Sequence, residues 1–400
     1  MTQSDLYVKP ISDSLEGFDI DVVVSGSIGA VESVRFIRAL RRLGGSVHPF
    51  LTRGGAQFTT ETALTWAANN NVVSEFRGDV PHIAVHDACI IAPASANIIA
   101  EVANGSCHSP GAALIQSYLG QSKPVFFLPN MHQSLFDSPI VQENLKKISG
   151  YMTSIPPREE EGKLKFPEPA LLADIVSHKL NRGRRADGPN VLISMGTTRG
   201  YVDDVRYFSN YSSGALGTAI SEEAYRQGYI TEVVCGPCEI KPRNYSKIKH
   251  IQTNEELSSA CLESSHNGVA AAVLAASVLD FVPSTKLDGK ISSSDDLKVD
   301  FKKSEKIIST IHPTSGVKVG FKLESDFSHD EAQRIAKSYT EKYDLSLICI
   351  NKKADVSSSK HIATLYETSD SGTPKNLGPL ETKQEIANKI VSHISDKLGR

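Results

Sequence analysis

The 400-residue sequence is as informative in what it lacks as in what it holds. No apolar run approaches the ~20 residues that a membrane-spanning helix needs, so no such helix is expected. A basic surplus is missing too. The 43 lysines and arginines stand against 46 acids, a formal net charge of −3, which gives no footprint for nucleic acid. Cysteine is sparse. The six residues are scattered, mostly in apolar strand-like runs such as ACIIAP around Cys89 and LICI around Cys349. That pattern fits small buried hydrophobes, not a disulfide framework. The opening MTQSDLYVKPISDSLEGFDID is polar and acidic before any apolar run, unlike a secretion signal, and a cytoplasmic protein is expected. No repeat of fixed period occurs.

What is present is a βα rhythm, struck twice. IDVVVSG, SVHPFLT, ACIIAPAS and PVFFLPN read as buried strands, each followed by a helical stretch. VLISMG, ITEVVCGP, VAAAVLAAS, VKVGFKL and LSLICIN repeat the pattern further on, and KQEIANKIVSHISDKL closes the chain as an amphipathic helix. Strands alternating with helices predict α/β domains with doubly wound parallel sheets and ligands at the strand C-termini. The length calls for two domains. The Pro-rich charged stretch PPREEEGKLKFPEP reads as an exposed flap, and NRGRRADGPN as a linker. The expected division is a first domain at 1–182, a linker at 183–189 and a second domain at 190–400.

In the first domain, Gly26 and Ser27 begin a small, hydroxyl-bearing turn between strand and helix. Such a turn presents backbone amides to an anion. Thr52 and the pair Ser95 and Ala96 follow two further strands. Three such strand ends on one edge suit the phosphate of a mononucleotide such as FMN, although Ser and Thr also cap helices. His82 and His132 are the acid/base candidates, both placed at that same edge. His86 and His108 have weaker claims.

The second domain carries GTTRGYVDDVRYFSNYSSGALG at 196–217. Ser212, Ser213 and Gly214 precede a helix and form a candidate anion site. Arg206 can neutralise charge, and the Asn210 amide can donate to a developing oxyanion. Asp203 and Asp204 read as a solvated turn in preference to Mg²⁺ ligands. Asp280 and Lys290 are expected at the same edge. Cys235-Gly-Pro-Cys238 ends a strand and runs into a loop, where a redox pair would need a helix at its first cysteine. It reads as a Gly-Pro turn.

The run 196–217 resembles the signature of phosphopantothenate–cysteine ligases, and the first domain resembles flavin-containing cysteine decarboxylases. Together they resemble the bifunctional enzymes of coenzyme A biosynthesis, closest to the archaeal branch, across nearly the whole chain. The resemblance implies a flavodoxin-like FMN decarboxylase domain joined to a Rossmann-like ligase domain. It implies CTP- and Mg²⁺-dependent ligation of 4′-phosphopantothenate with cysteine through an acyl-cytidylate, then decarboxylation to 4′-phosphopantetheine. Asn210 would handle the acyl-cytidylate, with Arg206 beside it. Asp280, Lys290, Glu305, Lys306, Ile307, Ile308, Phe321, Lys337 and Lys342 would join Ser212, Ser213 and Gly214 around CTP, with Asp280 on the metal. Trimeric flavin domains and dimeric ligase domains are implied.

The sequence also departs from that pattern. His132 stands where an Asn is usual, the flap holds no cysteine, and the stretch from His82 to Ala92-Pro93 is about one helical turn short. Lys303-Ser304-Glu305-Lys306 replaces a Lys-Asn-Pro-Asp stretch, and Lys352 replaces the Asp after Asn351. These departures admit a ligase whose flavin domain decarboxylates poorly, or a non-enzymatic flavin-fold regulator.

Overall fold

The structure is a computed structural model and describes residues 6–160, 163–184, 188–243, 247–292, 297–356, 361–369 and 372–399. The chain divides into two compact units, Met1–Lys179 and Leu180–Arg400.

The first unit runs β1 (Asp19–Val24), α1 (Ala30–Arg42), β2 (Ser46–Leu51), α2 (Glu61–Ala68), β3 (Ala88–Ala94), α3 (Ala96–Ala103), α4 (Pro110–Gly120), β4 (Val125–Pro129), α5 (Gln133–Phe136), α6 (Pro139–Ile148), β5 (Thr153–Ser154), β6 (Arg158–Glu160), β7 (Lys163–Lys165) and α7 (Pro169–Arg184). Its parallel sheet has the order β2-β1-β3-β4-β5, that of flavodoxin-like folds. The apolar runs become strands because helices cover both faces. Every residue of β3 is buried, and Phe36, Ile37 and Leu40 of α1 pack inward. Gly44 then stops α1 with φ +94°, a conformation that glycine adopts without strain.

The sequence expectation of a linker beginning at 183 needs adjustment. The helix α7 continues to Arg184, past the apolar stretch that suggested its end. Asn181 Nδ2 donates to the Arg226 carbonyl at 2.9 Å, so tertiary contact carries the last turn. Residues 185–187, the centre of the expected linker, lie outside the described residues.

The second unit runs β8 (Asn190–Met195), β9 (Arg199–Tyr201), β10 (Tyr207–Ser209), α8 (Ala215–Arg226), β11 (Ile230–Cys235), β12 (Lys247–His250), α9 (Asn254–His266), β13 (Ala271–Leu274), β14 (Phe281–Pro283), β15 (Phe301–Lys303), β16 (Val317–Glu324), α10 (His329–Tyr343), β17 (Leu347–Lys352), β18 (Ala363–Glu367), β19 (Lys375–Leu380) and α11 (Lys383–Lys397). Its main sheet has the order β12-β11-β8-β13-β16-β17-β18-β19. Alternate residues feed opposite faces. Val191 and Ile193 pack with α8 and α11, whereas Leu192 packs with α9. The sheet is parallel through β17, then gains antiparallel β18 and β19. Those edge strands, and the small hairpins β9–β10 and β14–β15, went unread in the sequence because they are short or interrupted by Gly and Pro.

Candidate functional site

In the first unit, a cavity of about 750 Å³ opens at the C-terminal ends of β1 and β3, at the point where the strand order reverses. Gly26, Ser27, Ser95 and Ala96 all line it. Two helices begin here. Neither the Gly29 N-cap of α1 nor the Ser95 N-cap of α3 makes a side-chain capping bond. The first amides of α1, on Ala30, Val31 and Glu32, bond back to the carbonyls of Ser27, Ile28 and Gly29. Ala96, Asn97 and Ile98 at the start of α3 have no such partner among the described residues, so it is the positive end of α3 that is open to an anion. The Ser95 hydroxyl thus does not cap its helix.

Two residues that sequence reading passed over build this edge. Ser25, buried, donates to the Pro93 carbonyl and accepts from the Ser95 amide, both at 2.8 Å. It ties β1 to β3. Asn130 at the end of β4 is 3% exposed. Its Oδ1 accepts from Ser27 Oγ and from the Gly29 amide, while Nδ2 donates to the Leu164 carbonyl of the flap. A Cβ on Gly29 would meet Asn130 Oδ1 at 2.5 Å, so that glycine is required by close approach. The signal that could have found Asn130 was its place directly after an apolar strand.

His132 also lines the cavity. Its Nδ1 accepts from the Ser134 amide at 3.2 Å, which leaves a neutral ring its proton on Nε2. The flap forms the hairpin β6–β7. With the following turn it supplies Arg158, Leu164, Lys165, Phe166 and Glu168 to the wall.

Thr52 and His82 are placed differently from expectation. Thr52 Oγ1 donates to the Val24 carbonyl and accepts from the Gly55 amide, so its hydroxyl is spent inside the loop and not on the cavity wall. His82 is not at the cavity edge of its own chain. It sits in a helix-free stretch leading to the N-terminal end of β3, two residues before Ala84, whose amide is held by Ser117 of α4. Phe76 packs edge-on against its ring at 5.2 Å. Its Nδ1 is buried without a hydrogen-bond partner among the described residues. The surrounding Phe76, Val80, Ile83 and Val85 are all exposed. His86 lies at the N-terminal end of the sheet, bonded to Asp21.

In the second unit, two loops are clamped together. Asp203 is buried, and its oxygens accept from the amides of Val205, Arg206 and Ile291 and from the Arg206 guanidinium at 2.8 Å. Burial opposes the charge, yet the amides of Arg206, Val205 and Ile291 and the Arg206 cation hold the carboxyl down at about 2. Asp204 pairs with Lys286 at 2.6 Å and accepts from the Gly289 amide. Asp203 is thus no solvated turn: it is the buried anchor of the loop. The clamp sets Lys290, exposed between Gly289 and Ile291, beside Arg206, which also donates to the Ile291 carbonyl at 3.2 Å.

Asn210 donates to the Val278 carbonyl at 3.1 Å, two residues from Asp280. The Asp280 carboxylate pairs with Lys306, and its carbonyl accepts from the Ser304 amide. Asn210, Asp280, Glu305 and Lys306 therefore share one neighbourhood. Ser212 and Ser213 accept from the amides of Gly214 and Ala215, each at 3.4 Å. Gly214 enters α8 with φ +78°, and a Cβ there would lie 2.7 Å from the Ile240 carbonyl oxygen. Only glycine fits.

Five other expected nucleotide residues stand apart. Ile307 and Ile308 direct their side chains into apolar clusters, and Phe321 packs against the core around β16. Lys337 and Lys342 lie in the second half of α10. That helix carries the chain back towards the N-terminal start of β17, away from the strand ends bearing Asn210 and Asp280. There they border a separate recess with Arg334 and Glu341.

Cys235 ends β11 buried, and no helix begins there. A hydrogen bond from the Cys238 side and burial push its thiol up, while the same bond lowers Cys238 to about 7. The Pro237 carbonyl accepts from the amide and hydroxyl of Thr197, so the Gly-Pro turn braces the loop that starts at Gly196.

Comparison with known proteins gives matches over both units. A family model described as DNA/pantothenate metabolism flavoprotein C-terminal domain matches residues 186–398, and one described as Flavoprotein matches residues 9–181. The Coenzyme A biosynthesis bifunctional protein CoaBC of Thermococcus kodakarensis is 31% identical over 399 residues, covering 97% of each chain. The protein of the same name from Methanocaldococcus jannaschii is 29% identical over 395 residues, 96% of this chain and 94% of that one. That of Haemophilus influenzae is 30% identical over 358 residues, 84% and 87%.

Proposed function

Because the chain belongs to the bifunctional coenzyme A biosynthesis family, which joins a phosphopantothenoylcysteine decarboxylase to a phosphopantothenate–cysteine ligase, we propose how its residues divide that work. The ligase unit takes 4′-phosphopantothenate, cysteine and CTP with Mg²⁺. The carboxylate attacks the α-phosphorus, releasing pyrophosphate and forming the acyl-cytidylate, whose acyl carbon then receives the amine of cysteine as CMP leaves. The Asn210 amide donates to the oxyanion that develops at that carbon. Arg206 and Lys290 neutralise phosphate charge, and Ser212, Ser213 and Gly214 supply donors at the start of α8. Asp280, which pairs with Lys306 in this structure, would hold the Mg²⁺, which would supply charge neutralisation on the nucleotide phosphates. The observation that carries this reading is the Asp203–Asp204 clamp, which puts Arg206 and the Lys290 loop side by side.

The decarboxylase unit fits FMN. Ser27, Ser95 and Ala96 with the start of α3 suit the phosphate, and the buried Asn130 amide suits a polar ring edge. When bound, FMN supplies the electron sink that a cysteinyl carboxylate lacks. Asn130 fixes the turn at Ser27 and Gly29 and anchors the flap. The flap shields the cavity from water, and His132 presents Nε2–H as a proton donor. His82 serves the cavity of a second copy: its exposed apolar surroundings support packing of flavin units into trimers, and the ligase units pair as dimers.

A coupled assay tests the whole reading. With phosphopantothenate, cysteine and CTP, the protein should release both pyrophosphate and CO₂. Pyrophosphate without CO₂ would leave a ligase with a silent flavin unit, the outcome that a flap without cysteine favours. Neither product would refute the reading.

A further inference from the structure

At the N-terminal edge of the first sheet, opposite the cavity, three strands bring together groups that the reaction does not use. Asp19 opens β1, His48 lies on β2 and His86 precedes β3. Each offers one ligand atom, and these atoms lie within 4.8 Å of one another. The two imidazoles stack with centroids 3.9 Å apart and planes 17° from parallel. His48 Nε2 stands 2.9 Å from Asp19 Oδ1, a span that two donors on one small cation can occupy at metal–ligand distances of ~2.0–2.2 Å.

The surroundings have the character of a metal's outer shell. His86 Nδ1 is 2.9 Å from Asp21 Oδ1, and Asp21 Oδ2 accepts from the Tyr118 hydroxyl at 2.6 Å. Asp21 is 1% exposed. A buried carboxylate on one ring nitrogen fixes the tautomer and turns the other nitrogen's lone pair outward, the arrangement that metal-bound histidines share. Asp87 adds a carboxylate by accepting from the Asp19 amide at 2.8 Å. Against Asp19, Asp21 and Asp87 stands the Lys123 ammonium, which donates to the His86 carbonyl at 3.0 Å. The ligand side chains are partly exposed, with 29% of His48, 26% of His86 and 50% of Asp19 reaching solvent, so an ion can enter.

We propose that Asp19, His48 and His86 form a site for a divalent transition cation of the zinc type, which staples β1, β2 and the approach to β3. Two imidazoles and one carboxylate suit such an ion better than Mg²⁺ or Ca²⁺, which prefer all-oxygen shells. Water completes the coordination.

The test uses the tag-free full-length protein, stripped with a chelator and dialysed against graded Zn²⁺, with bound metal measured by elemental analysis. One Zn²⁺ per chain should bind saturably. Affinity should fall at least ten-fold in His48→Asn and in His86→Asn, and ten- to a hundred-fold in Asp21→Asn, in line with loss of an outer-shell partner. Cys235→Ser/Cys238→Ser should bind as the parent does. Retained flavin absorbance and far-ultraviolet circular dichroism establish that each variant is folded, and Asp19→Asn replaces any histidine variant that is not. Absence of saturable binding, unchanged affinity in both histidine variants, or loss of the metal only in the cysteine variant would overturn the proposal.

Discussion

The two units solve a similar problem with different architecture. The flavodoxin-like unit places its polar groups around a concave, largely prebuilt cavity: Ser25, Ser27 and Asn130 are buried and mutually bonded before any ligand arrives. The ligase unit instead sets Arg206, Asn210, Asp280 and Lys290 on loops at the protein surface, joined by ion pairs and one buried aspartate. The difference teaches where each chemistry obtains its order. A dissociable mononucleotide that stays bound through turnover rewards a rigid cradle. Successive co-substrates and leaving groups reward an open site whose charges re-pair as each one comes and goes.

That contrast can be broken experimentally. The largest effect is expected from Asn210→Asp, which should cut ligation by about 10²–10³ while leaving flavin content and the decarboxylation of supplied phosphopantothenoylcysteine intact. Phosphopantothenoylcysteine formation at the parental rate would remove Asn210 from the chemistry. Asn130→Ala comes next. It strips the acceptor from Ser27 and the Gly29 amide, and an unsatisfied buried group costs about 1–3 kcal/mol. Flavin affinity should drop some ten- to a hundred-fold, read by fluorescence of released FMN, with ligation unaffected.

Gly214→Ala should damage only the second unit, because φ +78° and the nearby Ile240 oxygen oppose a Cβ. Backbone strain of this kind costs about 1–3 kcal/mol, visible as a raised KM for CTP and a lowered unfolding midpoint. The smallest effect concerns pH. Asp203 is held at about 2 in the fold, below its unfolded value near ~3.9. Its stabilisation is complete above about pH 4 and is lost as pH falls towards 2. Asp203→Asn should therefore flatten the acid limb of the unfolding midpoint between pH 4 and 2; a limb of the same steepness would assign it to other carboxylates.

Much of the site was legible in the chain because strand ends announce themselves. An apolar run followed by Gly, Ser or Asn marked the cavity edge at Gly26, Ser27 and Ser95, and SNYSSG marked the start of α8. Less visible was which hydroxyl faces the ligand. Thr52 and Ser95 look alike in sequence, but the loop after β2 turns back on Val24 and consumes the Thr52 hydroxyl. His82 and His132 also looked alike. The chain after α2 descends to the N-terminal end of β3 before the strand starts, which takes His82 away from the edge that His132 borders.

By itself, then, the sequence determined the βα rhythm and the two parallel sheets, because burial on both faces demands continuous apolar strands whatever their partners. It also determined the glycines, since φ +78° at Gly214 and the close approach at Gly29 admit nothing else. Only the tertiary structure decided the pairings between distant segments. The Asp203 anchor to Ile291, the Asn130 bridge from β4 to the flap, and the meeting of Asp19, His48 and His86 each join residues whose separation along the chain carries no periodic signal. Strand order sets such encounters, and strand order arises from packing, not from the local preference of any one segment.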